Sequence, residues 1–358
     1  MKNNIDNFTN YYQKEKQKID YIIKQFNNKI LEEDNQILKD NLNYFTDLNS
    51  NGKNIRGLLV LLGYNLLHDE NDYALDLALA YEVFQTAILV HDDIIDKDDI
   101  RRGKYTITYQ NKVKYSTLNT IKNLDHISNS IALCIGDYGL YLANKIISDS
   151  YQKDMNLGKI LSYFNQIVLD TIKGEILEIT LPYESKKDSI LIEDLENNIY
   201  NVYLLKTALY TIVGPLSLGL LLAGSDQRKI EEITEFGKKI GIAFQIQDDI
   251  LGVFSEEMEK NLATDIKEKK QTLLYQSIMK TEYKEEFLNY YDKKDLNEKD
   301  IINIKELLLK SKAKEQCENK MNTFYEEGKT ILDNISWIPK EKKSILIGLV
   351  EMLRKRKK

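Results

Sequence analysis

Five carboxylates fall within eight residues, at Asp92, Asp93, Asp96, Asp98 and Asp99, and they close an apolar run that begins at Phe84. Arg101, Arg102 and Gly103 follow at once. Asp92 and Asp96 are four residues apart, which on a helix puts them on one face about a turn apart. Like charges at that spacing repel, and the negative end of the helix dipole adds to the repulsion. A cation relieves both. Hard oxygen ligands with room for water suit Mg²⁺, usually held by one or two carboxylates plus substrate phosphates. The guanidinium forks of Arg101 and Arg102 match phosphate oxygens. The plainer alternative is a solvated acidic helix end beside a basic turn. A second aspartate pair, Asp248-Asp249, closes another apolar run far down the chain and favours the chemical reading.

The elements that must carry these groups are helical. The chain has 358 residues, 42% hydrophobic and 30% charged, enough for a large core. Three prolines and sixteen glycines leave few breakers in a sequence rich in Leu, Ile, Lys and Glu. A net charge of −6 gives no nucleic-acid footprint. Cys134 and Cys317 are far apart and unpatterned, which fits a reduced compartment and indicates neither a disulfide nor a metal. The first twenty residues are polar, arguing against a signal peptide. No run of about eighteen uncharged apolar residues occurs, so no membrane span is expected.

Ile19, Ile22, Ile23, Phe26 and Ile30 keep helical spacing. A turn at 49–54 leads to a helix marked by Ile55, Leu58, Leu59, Leu62 and Leu66. Residues 74–95 are apolar nearly all round, as expected for the middle of a bundle. The stretch 103–123 has poor periodicity and reads as a long loop. Helices are expected over 127–147 and 157–181, with a polar connection at 182–189. A helix over 200–222 should be kinked or divided at Gly214-Pro215. A second apolar helix covers 236–253, a charged loop 255–271, and charged helix 297–358. No strand alternation stands out.

At this point the residues resemble the trans-isoprenyl diphosphate synthases, the polyprenyl synthases of the class I terpenoid fold. The resemblance runs from about Gly52 to Thr272 and on to the end of the sequence. Its motifs are Gly52-Lys53-Asn54-Ile55-Arg56, Asp92-Asp93-Ile94-Ile95-Asp96 with Arg101-Arg102-Gly103, Lys206-Thr207, and Phe244-Gln245-Ile246-Gln247-Asp248-Asp249. Asp265 and Lys270-Gln271-Thr272 close the series. The resemblance implies an all-α isoprenoid synthase bundle around a central cavity, one domain over 1–358, homodimeric and cytoplasmic. It implies condensation of isopentenyl diphosphate with an allylic diphosphate such as the dimethylallyl, geranyl or farnesyl ester. Asp92 and Asp96 would hold two Mg²⁺ ions and Asp248 a third. Arg101, Lys206, Lys260 and Lys270 would bind the allylic diphosphate, with Thr207 and Gln245 hydrogen-bonding nearby. Lys53, Arg56 and Arg102 would hold isopentenyl diphosphate. His91 would orient the metal site by hydrogen bonding.

Three departures stand out against that pattern. Gln85 stands where the family usually has His, on the Asp92 face two turns deeper, and can still donate to a diphosphate. Gly252 stands where many members place a fifth-position Asp, with Asp265 available from the loop. Gly174-Glu175 replaces a Gly-Gln pair, with Glu178 one turn on. Two other functions compete with an active synthase. A non-catalytic subunit of a heteromeric synthase would lose aspartates or cations, and both sets remain. A terpene cyclase would not need Lys53, Arg56 and Arg102.

Product length follows from the helix leading to Asp92. In the family, positions four and five before the first aspartate often stop the growing tail when aromatic. Here they are Ile88 and Ala87, which points to C20 or longer. Phe84 and Tyr81 lie roughly 12 and 16 Å below Asp92 at 1.5 Å per residue. An aromatic floor there points to geranylgeranyl diphosphate, with Ala87→Phe shortening it and Phe84→Ala lengthening it. Farnesyl and C25–C35 products are the alternatives.

Overall fold

The computed structural model describes residues 2–118, 120, 122–185, 192–255 and 264–356. Lys260 lies outside the described residues. The described chain is almost wholly helical. Two compact units emerge: residues 10–162 with 215–225, and residues 1–9, 163–214 and 226–358.

The first of these units is built around α4 (Leu75–Ile95), whose residues from Leu77 to Ala87 are all buried. The sequence has no Gly or Pro in that run, and its apolar residues cover every side, so the helix is stable only when surrounded. α6 (Leu124–Ser150), α3 (Ile55–Asn65) and α2 (Gln36–Ser50) pack on it. α1 (Lys2–Ile30) is tied in by polar bonds: Asn49 donates to Asn27, and Thr86 of α4 donates to Asn49. Each buried amide thereby finds partners, without which burial would cost about 1–3 kcal/mol per group. α3 crosses α9 (Gly214–Leu222) at close range. A Cβ on Gly63 would fall 2.2 Å from the Leu216 carbonyl oxygen, so only glycine permits the crossing.

Residues 103–123 are not a plain loop. β1 (Ile100–Arg101) pairs antiparallel with β2 (Lys104–Tyr105), and α5 (Ile107–Tyr115) follows. Arg102 (φ 53°) and Gly103 (φ 76°) make the two-residue turn. Two positive φ values are what a tight hairpin of that length demands. Strands this short leave no alternation to detect. Thr106 accepts from the Tyr109 N–H and starts α5, whose buried residues Ile107, Thr108 and Asn111 are too few and too mixed for a periodic signal.

In the other unit, α7 (Leu157–Glu184) runs past Pro182, so the expected connection starts later; residues 186–191 lie outside the described ones. After α8 (Ile192–Val202) the chain forms a π-helical segment, Tyr203–Val213, and α9 begins at Gly214. The division expected at Gly214-Pro215 is therefore a change of helix type. α10 (Gln227–Phe254) starts at the Asp226 cap and packs on the π-helical segment and on α15 (Ala313–Asn334). α11 (Thr264–Lys267) and α12 (Leu273–Ile278) follow. α13 (Lys284–Tyr291), α14 (Glu298–Lys310) and α16 (Lys340–Arg354) complete the chain. The segments 72–95 and 194–222 are long and apolar enough to cross a membrane, yet most of each is buried within the protein, as core helices are.

Candidate active site

The C-terminal end of α4 brings Asp92, Asp93 and Asp96 together. Asp92 and Asp96 are half-buried, and the Asp96 N–H closes the helix on the Asp92 carbonyl at 2.8 Å. Asp93 points inward and is 2% exposed. Arg101 reaches back from β1, with Nε donating to Asp93 at 2.6 Å and Nη2 to Asp98 at 2.9 Å. Burial pushes the Asp93 carboxyl up to about 6, against the pull of Arg101. The hairpin thus fixes where Arg101 stands relative to the aspartates.

Arg102 occupies the left-handed turn, and its Nη1 donates to the Leu48 carbonyl at 3.4 Å. A Cβ on Gly52 would lie 3.4 Å from that same nitrogen, so Arg102 stands beside the Gly52-to-Arg56 motif. Asn54 is left-handed there (φ 54°) and donates to Asp20 at 2.7 Å. Glu82, fully buried on α4, accepts from the Gly57 N–H at 2.6 Å. Burial raises its pKa, and Gly57, Arg56 and Arg102 oppose the rise. Glu82 therefore anchors the helix start that presents Lys53 and Arg56. Gln85 is buried at 6% exposure. A cavity of ≈ 590 Å³ is lined by Tyr44, Leu48, Arg101, Arg102, Tyr105 and Gln110, among others.

His91 corrects an expectation. Its Nε2 lies 3.4 Å from both the Asp137 carboxylate and the Leu133 carbonyl of α6, and its ring fills the notch left by Gly136. It packs helix to helix and does not orient the aspartates. Ala87 faces α6 as well: a Cβ on Gly139 would lie 2.9 Å from the Ala87 Cβ. Ile88 is half-buried, one turn before Asp92. Tyr81 and Phe84 are fully buried and meet edge to face with centroids 5.7 Å apart.

The other unit carries the remaining groups. On α10, Ile233, Phe236, Ile240, Ala243, Ile246, Ile250 and Val253 are buried. Gln245, Asp248 and Gly252 keep i, i+3 and i+7 spacing on another face. Lys206, on the π-helical segment, sits between Glu175 at 2.6 Å and Glu178 at 2.5 Å. Gly174 allows that approach, since a Cβ there would lie 2.5 Å from the Lys206 backbone nitrogen. Burial raises the Glu178 pKa, but Lys206 and Lys270 more than offset it and hold the carboxyl below its ordinary value. Lys270 also pairs with Glu268 at 2.9 Å. Lys206 and Lys270 thus belong to one charge cluster. The Glu175 and Glu178 roles were not legible from sequence.

Thr207 Oγ1 donates to Gln245 Oε1 at 2.5 Å, and Gln245 Nε2 donates to Asp249 Oδ1 at 2.8 Å. Tyr203 donates its hydroxyl proton to Asp249 Oδ2. Burial pushes the Asp249 carboxyl well up, with Asp265 adding to the effect. Asp248 pairs with Arg356 at 2.6 Å, and that guanidinium also lies 4.9 Å from the centroid of the Phe244 ring. Gln247 donates to the carbonyls of Arg354 at 3.2 Å and Arg356 at 3.0 Å, and accepts from Tyr325 at 2.9 Å. Sequence reasoning missed Tyr203 and Arg356. The basic end of the chain was the one available signal for the latter.

The donor set fits Mg²⁺. Asp92 and Asp96 are hard oxygen donors at a dipole-negative helix end. Among the described residues no three His, Cys, Asp or Glu groups cluster into a protein-only cage. Two carboxylates at one helix end suit an ion that completes its shell with water and substrate phosphate.

The fold and these residues define an all-α protein whose helices carry aspartate pairs, with lysine and arginine donors on the same units, as diphosphate chemistry requires. The chain belongs to the polyprenyl synthetase family, whose model matches residues 35–308. It is 28% identical over 229 residues to the geranylgeranyl diphosphate synthase of Sulfolobus acidocaldarius, covering 63% of this chain and 62% of that protein. It is 26% identical to the geranylfarnesyl diphosphate synthase of Aeropyrum pernix, covering 87% of this chain and 92% of that one. The crystal structure of the Corynebacterium glutamicum geranylgeranyl pyrophosphate synthase, complexed with isoprenyl diphosphate and magnesium, aligns over 99% of this chain and 98% of its own. That alignment has a TM-score of 0.80 at 26% identity.

Proposed function

We propose that this chain condenses isopentenyl diphosphate with an allylic diphosphate and elongates the product to about C20. The observation that carries the reading is the Asp92/Asp96 helix end with Arg101 folded back onto it. Asp92, Asp96 and Asp248 would hold Mg²⁺, which supplies positive charge to a departing diphosphate. Lys206, Lys270 and Arg101 would bind the allylic diphosphate and stabilise charge as it develops on the leaving oxygens. Lys53, Arg56 and Arg102 would hold the second diphosphate, with Glu82 fixing the helix start beneath them. Thr207 and Gln245 would hydrogen-bond the allylic substrate. The released diphosphate would take the proton.

The chain-length reading rests on α4. Ile88, half-buried one turn before Asp92, would leave room for the growing tail, and the Tyr81–Phe84 pair would end the space. That geometry supports geranylgeranyl diphosphate. A homodimer is supported by α7, where Leu169, Ile172, Ile176, Ile179 and Tyr183 form an exposed apolar stripe at helical spacing. Two free thiols, Cys134 and Cys317, support a cytoplasmic setting. The test is incubation of purified protein with labelled isopentenyl diphosphate and each allylic primer, followed by chromatography of the dephosphorylated products. A product of C15, or of C30 and above, overturns the length. No product with any primer overturns the activity. Sedimentation of an Ile176→Glu variant as a monomer is expected on the homodimer reading.

A further inference from the structure

We propose that Tyr203 and Asp249 form a buried clamp that fixes which way the Gln245 amide faces, so that Tyr203 is a positioning residue for this reaction. The inference rests on the reading of Gln245 as a group beside the allylic substrate. It adds two residues that touch no substrate in that reading.

A glutamine amide has two ends of similar shape and opposite hydrogen-bonding character. Its usefulness at a reacting centre depends on which end points where. Here the choice is made from behind. The Tyr203 oxygen accepts the Leu273 backbone N–H at 3.0 Å, which turns the hydroxyl proton toward Asp249 Oδ2. The other carboxylate oxygen, Oδ1, receives Gln245 Nε2 at 2.8 Å. With Tyr203 on Oδ2 and the Gln245 amide nitrogen on Oδ1, Asp249 accepts at both oxygens. Nitrogen thus faces Asp249, and Oε1 faces Thr207, whose hydroxyl donates to it at 2.5 Å.

In the chain Leu273, Tyr203, Asp249, Gln245, Thr207 donation therefore runs inward from both ends and meets on the two oxygens of Asp249. It leaves the second Gln245 N–H and the Thr207 lone pairs for other partners. Tyr203 and Asp249 are 3% and 5% exposed, whereas Gln245 is half-buried, so the clamp lies behind the amide it holds. Its ends reach three elements: the π-helical segment that also carries Lys206 and Thr207, α10 with Asp248, and α12 just after Lys270-Gln271-Thr272. Ring burial alone would be served by phenylalanine; the hydroxyl adds only these two bonds.

The test is a double-mutant cycle on the full-length protein, read as kcat and as KM for each substrate. Tyr203→Phe should lower kcat about tenfold while both KM values stay within about twofold, because the amide is misdirected and not removed. Gln245→Ala should lower kcat at least as much. Once Gln245 is alanine, adding Tyr203→Phe should cost nothing further. Asp249→Asn, nearly the same shape, should reverse the amide and reproduce the loss, and serves if Tyr203→Phe does not fold. Wild-type kcat for both Tyr203→Phe and Asp249→Asn overturns the clamp. So do additive losses in the double variant, which a purely structural role would give. Wild-type turnover by Gln245→Ala instead removes the role of Gln245 itself, and the clamp with it.

Discussion

The carboxylate of Asp265 stands where a side chain at Gly252 would go: a Cβ built on Gly252 lies 2.8 Å from Asp265 Oδ2. Gly252 is one turn past Asp248 on α10, so Asp265 brings to that turn the carboxylate that the helix itself lacks. This predicts a compensation between the two positions. Asp265→Ala should raise the Mg²⁺ concentration for half-maximal activity by about tenfold or more, the effect of about 1.4 kcal/mol in binding. Gly252→Asp alone should lower the melting temperature, since two carboxylates would compete for one space. Gly252→Asp with Asp265→Ala should recover much of the metal affinity. A Mg²⁺ titration with thermal melts checks all three. Unchanged metal dependence in Asp265→Ala refutes the compensation.

Arg356 places a cation on Asp248 from the far end of the chain. The two side chains are 31% and 30% exposed, so the pair is worth only ~0.5–1 kcal/mol. Arg356→Ala should therefore tighten metal binding by about two- to fivefold. Gln247 should keep its place, because it is held by backbone carbonyls and by Tyr325 and not by the Arg356 side chain. Mn²⁺ binding followed by electron paramagnetic resonance gives the readout without turnover. Weaker Mn²⁺ binding by the variant would contradict a competing role for Arg356.

Much of the fold is legible because long apolar helices write their period into the sequence. α4 and α10 were readable from residues such as Phe84, Val90, Phe236 and Ile240, and the end of α4 from the aspartates that begin at Asp92. What stays hidden is set by single contacts between residues distant in the chain. His91 turns to α6 because Gly136 leaves a notch there. The hairpin at Arg102 depends on two positive φ values, which periodicity does not encode. Lys206 meets Glu178 because Gly174 lets two helices approach, a fact of packing and not of spacing. Tyr203 reads as one more aromatic in an apolar run until its hydroxyl is seen on Asp249.

Lys206 holds two carboxylates together, and this predicts a stability effect separable from catalysis. In Lys206→Ala, Glu175 and Glu178 face each other without the lysine between them. Breaking a largely buried pair this way should cost about 1–3 kcal/mol. Glu178→Gln in the same background should restore part of the melting temperature and none of the activity. The wild-type pH dependence follows from the lowered Glu178 pKa. A depressed carboxylate contributes stability above its unfolded pKa, and that contribution is lost as pH falls through the lower folded value. Denaturant melts should thus show wild type losing stability on acidification below the ordinary glutamate range. A Glu178→Gln variant should show a flatter profile. Identical pH profiles would remove the ion pair from the account.

Product length is best tested on α4 itself, and the packing changes which position to choose. Ala87 is fully buried against α6, so Ala87→Phe must push that helix aside. Its main effect should be lost stability of about 1–3 kcal/mol from overpacking. Ile88 is half-buried and shares the Asp92 face one turn below. Ile88→Phe should therefore shorten the product toward C15 with little loss of stability. In the other direction, Phe84 is one half of the buried aromatic pair with Tyr81. Phe84→Ala should lengthen the product toward C25 or beyond, because each added methylene can be buried for about 0.8 kcal/mol. It should also cost about 3–5 kcal/mol in stability. Phe84→Leu should lengthen less and remain closer to wild type in melting temperature. Reversed-phase chromatography of the dephosphorylated products, run beside melts of each variant, gives the answer. An unchanged product from both Ile88→Phe and Phe84→Ala would mean that the growing tail does not run along α4.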